Sequence, residues 1–145
     1  NGEAGSNLDH VDTDFPMFRL ADVYLMYAEA TLRGASNGDR ATSLNYLNAI
    51  KERAYGDASG NISDADLTLD YVLEERGREL YFEAHRRIDL IRFNKFSDRA
   101  GADELIWDWK GQAIDGSSVS SYLEIFPIPS SELGVNSNLI QNEGY

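Results

Sequence analysis

The sequence feature that most constrains the fold is a pair of consecutive segments with helical periodicity. Between Arg19 and Gly34, apolar side chains recur at a spacing that places them on one face of a helix, and glycine often ends such a helix. A second helix is predicted to start after Asp39, whose side chain can cap it, and to run to the turn region 56–60. The predicted faces comprise Leu20, Val23, Tyr24, Tyr27, Ala28 and Thr31 in the first helix and Ala41, Leu44, Leu47, Ile50 and Ala54 in the second.

Together these segments predict a helical hairpin over residues 15–56. Its size is that of one tetratricopeptide-type unit, and the sequence contains no second copy of the pattern. One such unit cannot cover its own apolar faces, because repeats of this kind are stable when their neighbours pack against them. We therefore expect the chain to be a fragment of a larger helical protein whose N-terminal remainder covers the hairpin.

A third helical segment, either continuous or broken once before Asn94, is predicted over residues 66–95, with Thr68 as its cap. Its apolar stripe also includes three charged residues, Arg76, Glu83 and Arg87. A buried charge without a partner is costly, so we interpret these three as a structural ion network, paired with one another or with the first two helices. A charged binding or catalytic cluster is the alternative interpretation. The apolar members of the stripe are Leu69, Val72, Leu73, Leu80, Ala84 and Ile91.

The two ends of the chain lack helical periodicity. Residues 1–14 are polar and are predicted to form a loop, and residues 96–145 are predicted to be irregular and loop-rich. Within the latter part, Tyr122–Pro129 is predicted to form one short strand ended by prolines, and the polar tail is predicted to pack on the main body. The predicted fold class is therefore mainly α.

The composition excludes several classes of function. The formal net charge of −12 disfavours binding to nucleic acid or to an anionic membrane surface. The absence of cysteine excludes thiol chemistry, and no phosphate-binding glycine loop or zinc motif occurs, so no cofactor and no metal site is predicted. Because neither His10 nor His85 lies in a catalytic motif, the chain is not expected to be an enzyme. An acidic-cleft hydrolase stays as an alternative, since carboxylates are abundant.

The segment WDWKG offers one candidate ligand site. In an extended backbone, Trp107 and Trp109 would lie on the same face, where indole rings can stack on sugar rings while Lys110 binds hydroxyl groups at the edge. Anchoring of a loop to the protein body is the more common role of tryptophan and is the competing interpretation.

Four strings resemble the C-terminal region of the SusD/RagB family of nutrient-binding outer-membrane lipoproteins. They are RLADVYLMYAEA, LNAIKERA, ERGRELYFEAHRRIDLIR, and FPIPSSEL followed by NSNLIQNEGY. They occur in the family's order between Phe15 and Tyr145. The sequence departs from the family pattern at four positions: Ala84 stands where glycine is frequent, Arg87 where an aromatic residue is common, and Ser137 and Glu143 where proline is frequent.

The resemblance implies an α-solenoid protein on the outer membrane, exposed at the cell surface and held by a lipid anchor that lies outside this chain. It implies capture of a glycan, such as starch or another polysaccharide, or of a peptide, and delivery to a SusC-like TonB-dependent transporter, without catalysis. Family members are several times longer, so the chain would be their C-terminal part. The ligand-contacting aromatic residues of starch-binding relatives lie upstream, so the resemblance carries no binding residue onto this sequence. A tetratricopeptide-type scaffold that binds proteins or peptides is the alternative function.

Overall fold

The computed structural model describes residues 17–98 and 119–145. The chain divides into two compact units, residues 1–86 and 87–145. In the described residues the elements are helical, with one isolated parallel bridge between Ser97 and Val119, so the prediction of a mainly α fold is confirmed. Among these residues, no helix combines the length and the apolar character needed to span a membrane. The α-helices are α1 (Leu20–Leu32), α2 (Arg40–Tyr55), α3 (Leu69–Glu79), α4 (Arg86–Arg92) and α5 (Ser130–Val135).

The first two helices begin and end for local reasons that the sequence contains. The Asp39 carboxylate accepts a hydrogen bond from the backbone N–H of Thr42 at 2.7 Å and so caps α2. Gly56, with φ +80°, ends α2 in the left-handed region that glycine adopts without strain, and Gly34, with φ +91°, follows α1. The predicted helices and the predicted cap are therefore confirmed.

The core of the first unit lies between α1, α2 and the start of α3. Leu25 and Ala28 of α1 have no exposed surface, and Leu47 is 1% exposed. Full burial of a leucine side chain contributes about 1.5–3 kcal/mol, so this cluster holds the three helices together. Its fully or almost fully buried members are Leu25, Ala28, Leu47, Ile50, Leu67 and Val72.

The predicted packing face of α1 was wrong in part. Leu20 and Val23 are 64% and 49% exposed, whereas Asp22 and Glu29 are buried. The buried side of α1 is the one that carries these carboxylates because Asp22 pairs with Arg76 of α3 and Glu29 pairs with Arg33. The periodicity of the sequence assigned the apolar residues to the buried side of α1. This assignment failed because α1 carries apolar residues on more than one side.

The third helical segment is interrupted. Thr68 caps α3 as predicted, by accepting a hydrogen bond from the backbone N–H of Tyr71 at 3.1 Å. The break that the prediction allowed lies after Glu79, where a turn separates α3 from α4. The assignment of Ala84 to the apolar stripe was wrong, because Ala84 is exposed in this turn. Phe82 and Ala84 adopt positive φ values of 65° and 61° in this turn, a conformation that interrupts a helix.

The second unit is held by its C-terminal tail. The Gln141 side chain accepts a hydrogen bond from the Ile128 N–H at 2.8 Å and donates one to the Ile128 carbonyl at 2.9 Å. The Tyr145 hydroxyl donates to the Ile125 carbonyl at 2.7 Å, and its ring meets Tyr122 edge-on. Gly144 has φ +96° and would clash with the Tyr122 ring if it carried a Cβ atom. The tail therefore packs, and its contacts are with residues 122–128 of its own unit.

The predicted strand over Tyr122–Pro129 was wrong, because none of these residues belongs to a strand. Ser121–Glu124 form a 3-10 helix, and extended backbone begins only at Ile125. The residues from Ile125 onward obtain their backbone hydrogen bonds from tail side chains, because Asn142 donates to the Phe126 carbonyl at 2.8 Å. Side chains of the tail thus form hydrogen bonds with this backbone that a neighbouring strand would form in a sheet.

Candidate functional site

An apolar groove of about 350 Å³ lies between α1 and α2. Such a volume is within the range of small-ligand pockets. The short side chains of Ala21 and Ala49 line it, and side chains of this size leave space between packed helices. The complete lining is Arg19, Leu20, Ala21, Tyr24, Ala49, Ile50 and Arg53.

The two arginines of the groove are neutralised by carboxylates of α3 and the turn after it. Glu79, whose side chain is 7% exposed, contacts Arg19 at 2.9 Å and Arg53 at 2.5 Å. The Arg19 guanidinium also contacts the two carboxylate oxygens of Glu83, at 2.8 and 2.9 Å. The hydrogen bond that Arg19 donates to the Glu83 carboxylate is the largest cause of the raised pKa of Arg19. Because each guanidinium already has a carboxylate partner, the groove suits an apolar guest better than an anion.

The three charged residues predicted to form one network lie in two places. Arg76 is 3% exposed and binds Asp22 of α1 at 2.7 Å, while Glu83 binds Arg19, the residue preceding α1. Both therefore connect the third segment to the start of the first helix.

Arg87 belongs to the second unit, and its described contacts are of another kind. It donates a hydrogen bond to the Leu123 carbonyl, and its guanidinium lies 4.3 Å from the centre of the Phe126 ring and 5.1 Å from that of Phe96. An arginine stacked on aromatic rings and bonded to a carbonyl fixes a loop, since a planar cation serves both contacts at once.

Sequence reasoning missed the residues that organise the charges around the groove. Arg19, Arg53 and Glu79 were not singled out, although Glu79 lies three residues after Arg76 in the ERGRE string, where charges interrupt an apolar stripe. That interruption was the available signal. It identifies buried charge but not its partners, which lie 26 and 60 residues away.

A second buried charge pair connects α2 to α3. Lys51 is 7% exposed and lies 3.5 Å from Glu75, with Tyr71 and Tyr55 within cation–π distance. Burial lowers the pKa of Lys51, but the hydrogen bond with Tyr71 and the charge of Glu75 outweigh it, so the net pKa is raised. Lys51 therefore remains a cation at neutral pH and acts as a packing residue.

The candidate sugar-contacting residues Trp107, Trp109 and Lys110 lie outside the described residues, as does the predicted loop 1–14. Within residues 17–98 and 119–145, no group of three or more His, Cys, Asp or Glu side chains is arranged to hold a metal ion.

Comparison with known proteins places the chain in a family of binding proteins. The family model described as SusD family matches residues 2–145, and the chain belongs to this family. It is 39% identical to the starch-binding protein SusD of Bacteroides thetaiotaomicron, over 100% of this chain and 24% of that protein. It is also 35% identical to SusD-like protein P25 of Formosa agariphila, over 89% of this chain and 24% of that protein.

The fold agrees with the family. The crystal structure of a SusD superfamily protein from Parabacteroides distasonis matches with a TM-score of 0.72 and 29% identity, over 98% of this chain and 30% of that one. The chain thus spans about a quarter of the length of the relatives named above. The predicted family is confirmed, and the chain matches only part of the length of these relatives.

Proposed function

We propose that the chain is part of a cell-surface protein that binds a glycan and delivers it to a TonB-dependent transporter in the outer membrane. The observation that carries this proposal is the 39% identity, over the whole chain, to a protein named for starch binding. The ion pairs support a binding role rather than catalysis, because Arg76, Glu79 and Glu83 are engaged in fixing the helices. Attachment to the membrane would be through a lipid anchor outside this chain.

Trp107, Trp109 and Lys110 are the proposed glycan-contacting residues in this part of the protein. Two indole rings on one face of an extended segment would stack on successive sugar rings, and the lysine would donate hydrogen bonds to hydroxyl groups. The ligand class is a neutral polysaccharide such as starch.

Affinity electrophoresis of the full-length protein in gels containing soluble starch, or a panel of other polysaccharides, tests the proposal. We expect retardation by at least one glycan, and for W107A and W109A a binding constant weaker by on the order of tenfold, the equivalent of about 1.4 kcal/mol. The matched control is Y81A, which removes another aromatic ring, 71% exposed, from the turn after α3. Retardation that W107A and W109A leave unchanged would assign the glycan to other residues.

Co-purification tests the transporter. Pull-down of the full-length protein from solubilised outer membranes should recover a TonB-dependent barrel. A protein that neither retains a glycan nor recovers such a barrel does not have the proposed function.

A peptide-binding scaffold is the second candidate, and the apolar groove between α1 and α2 favours it. Retention of peptides but not of glycans in the same assays would select it.

A further inference from the structure

The loop between α1 and α2 contains an asparagine followed directly by glycine. These two residues, Asn37 and Gly38, immediately precede the capping residue Asp39, and Asn37 is exposed. Within the described parts of the chain, every other asparagine is followed by a residue with a larger side chain. Because glycine has no Cβ atom, its backbone nitrogen is unhindered and can attack the side-chain amide of a preceding asparagine.

The packing of the loop requires glycine after Asn37. A Cβ atom on Gly38 would lie 2.6 Å from the Thr31 hydroxyl oxygen and 2.8 Å from the Thr31 Cα atom. Contacts of a Cβ atom at such distances are essentially never seen in proteins. Since the Thr31 Cα atom belongs to the backbone of α1, the helix itself would have to move to admit a larger residue. The close approach of the loop to α1 thus preserves the reactive asparagine–glycine pair.

Two hydrogen bonds hold the backbone at Gly38 and Asp39. The Gly38 N–H donates to the Ala35 carbonyl at 2.9 Å, and the Asp39 N–H donates to the Tyr27 hydroxyl at 3.1 Å. The Gly38 nitrogen must lose its proton and turn toward the Asn37 side chain before it can react, so the bond to Ala35 has to break first. An exposed loop can open in this way without unfolding of the helices that it connects.

We propose that Asn37 is a site of spontaneous modification, where asparagine is converted to aspartate and isoaspartate at a rate set by the opening of this loop. The Gly38 nitrogen forms a bond with the amide carbon of the Asn37 side chain, and the carbon–nitrogen bond of that amide breaks. Ammonia leaves with the proton from Gly38, and a five-membered succinimide ring remains. Water then adds to one ring carbonyl. Cleavage at the side-chain carbonyl gives aspartate, and cleavage at the backbone carbonyl gives isoaspartate. This chemistry does not depend on which ligand the protein binds.

The isoaspartate product would disturb the start of α2. Its backbone runs through the former side chain and so contains one additional carbon atom before Gly38. Gly38 has no free space against Thr31, and the Asp39 carboxylate accepts the capping hydrogen bond from the Thr42 N–H at 2.7 Å. A longer backbone at this place therefore displaces the cap, whereas ordinary aspartate at position 37 leaves the backbone unchanged.

Ageing of the full-length protein in neutral buffer tests the proposal. Peptide mapping by mass spectrometry measures the loss of Asn37 and separates the aspartate and isoaspartate products. The reference is a synthetic peptide with the sequence of residues 33–40, which lacks the packing of the loop on α1. We expect Asn37 in the folded protein to react roughly three- to tenfold more slowly than in the peptide, because one hydrogen bond has to open. Equal rates overturn the role of the loop. Conversion that stays undetectable after the peptide has reacted completely overturns the site.

Two tyrosine variants test whether loop opening sets the rate. Y27F removes the hydroxyl group that accepts the Asp39 N–H, so we expect Asn37 to react about two- to threefold faster than in the wild type. Y46F is the matched control, because it removes the same atom from the ring that packs edge-on against Tyr27, and it should leave the rate unchanged. A wild-type rate for Y27F, or an equal increase for Y46F, contradicts the proposal.

Hydrogen exchange measures the effect of the product on α2. The isoaspartate form of the aged protein is isolated by chromatography, and the N37D variant is the control with the same charge and an ordinary backbone. We expect the amide protons of residues 40–43 to exchange about tenfold faster in the isoaspartate form than in N37D, because the cap is displaced. Equal exchange in the two forms would overturn the proposed effect on the start of α2.

Discussion

At the scale of single residues, the chain places an ion pair inside its first unit. The Arg76 guanidinium is 3% exposed and lies 2.7 Å from Asp22, whose side chain is 12% exposed. In such a site the attraction between the two charges offsets the free-energy cost of removing each of them from water. Removing one partner therefore destabilises the fold far more than removing both. The main effect of the pair is therefore to determine how α3 packs against α1, and its net contribution to the free energy of unfolding is small.

We expect D22A to lower the free energy of unfolding by about 3–5 kcal/mol, because Arg76 would be left buried without this carboxylate. Urea denaturation measures the loss. The double variant D22L/R76M should lose less than D22A alone, since it removes both charges and keeps the volume. The control is E74A, which breaks the Glu74–Arg86 pair, 38% exposed on each side, and should cost about 0–1 kcal/mol. A D22A loss no larger than that of E74A would contradict the structural role of Arg76.

Ala84 is a residue whose backbone does not suit its side chain. Its φ of 61° lies in the left-handed region, where a residue with a Cβ atom is strained by about 1–2 kcal/mol. The SusD/RagB resemblance indicates glycine as frequent at this position, and the observed φ supplies a physical reason. The same conformation ends the regular helix between α3 and α4.

A84G should therefore raise the melting temperature, by an amount equivalent to about 0.5–1 kcal/mol after the entropy cost of glycine is subtracted. The control A49G makes the same change in the middle of α2 and should lower stability by about 0.5–1 kcal/mol. We expect calorimetry to show a higher melting temperature for A84G and a lower one for A49G than for the parent chain. A melting temperature that falls for both would mean that Ala84 is not strained.

At the scale of elements, the termini of α2 and α3 depend on capping side chains of different chemistry. Hydrogen bonds from the Thr42 hydroxyl and then from the Thr42 N–H hold the pKa of Asp39 below its ordinary value of 3.8. A carboxylate with a lowered pKa in the folded state contributes stability above its unfolded pKa, and this contribution is lost as the pH falls through the folded value. Thr68 caps α3 with a hydroxyl group that does not titrate in this range.

D39A should therefore lower the melting temperature at neutral pH, and its difference from the wild type should shrink as the pH falls below about 3.8. T68A should cost about 1 kcal/mol at every pH at which the chain is folded. Circular dichroism melts between neutral and acidic pH provide the comparison. A difference for D39A that stays constant with pH would show that the charge of Asp39 does not contribute to the cap.

The elements also show how far the sequence determines the fold. The hairpin could be predicted because Asp39 and Gly56 are strong local signals at the two ends of α2. The turn after α3 could not be placed, because Phe82 and Ala84 carry no signal for positive φ. The 3-10 helix at Ser121–Glu124 was missed because the tail, more than ten residues later, supplies the hydrogen bonds of the segment that follows it.

The candidate site was less predictable than the fold, for a related reason. The presence of Arg76 and Glu83 in an apolar stripe predicts that both need partners, but the partners Asp22 and Arg19 are more than 50 residues away in the chain. The packing side of α1 depends on those pairs, so Leu20 and Val23 could not be assigned to the exposed side without them. The local sequence pattern therefore predicts where the helices lie in the chain, whereas ion pairs between distant residues determine which sides of the helices pack together.

At the scale of the whole chain, the dominant property is its net charge of −12. Such a charge repels other polyanions over a distance set by salt, about 30 Å at 0.01 M and about 8 Å at 0.15 M. A neutral polysaccharide is not affected by this field, whereas a sulfated or uronate-rich one is. If the protein has the proposed glycan-binding function, the charge of this chain favours a neutral polysaccharide over an anionic one.

For the protein that retains a glycan, we expect the dissociation constant for a neutral polysaccharide to change by less than about twofold between 0.01 and 0.5 M sodium chloride, because no net charge is brought together. For a polyanionic polysaccharide we expect weaker binding at low salt than at high salt, since screening relieves the repulsion. Isothermal titration over the salt series measures both, with an uncharged polysaccharide that the protein does not bind as the blank. Tighter binding of the polyanion at low salt would mean that a local cationic site, such as one containing Lys110, outweighs the charge of the whole chain.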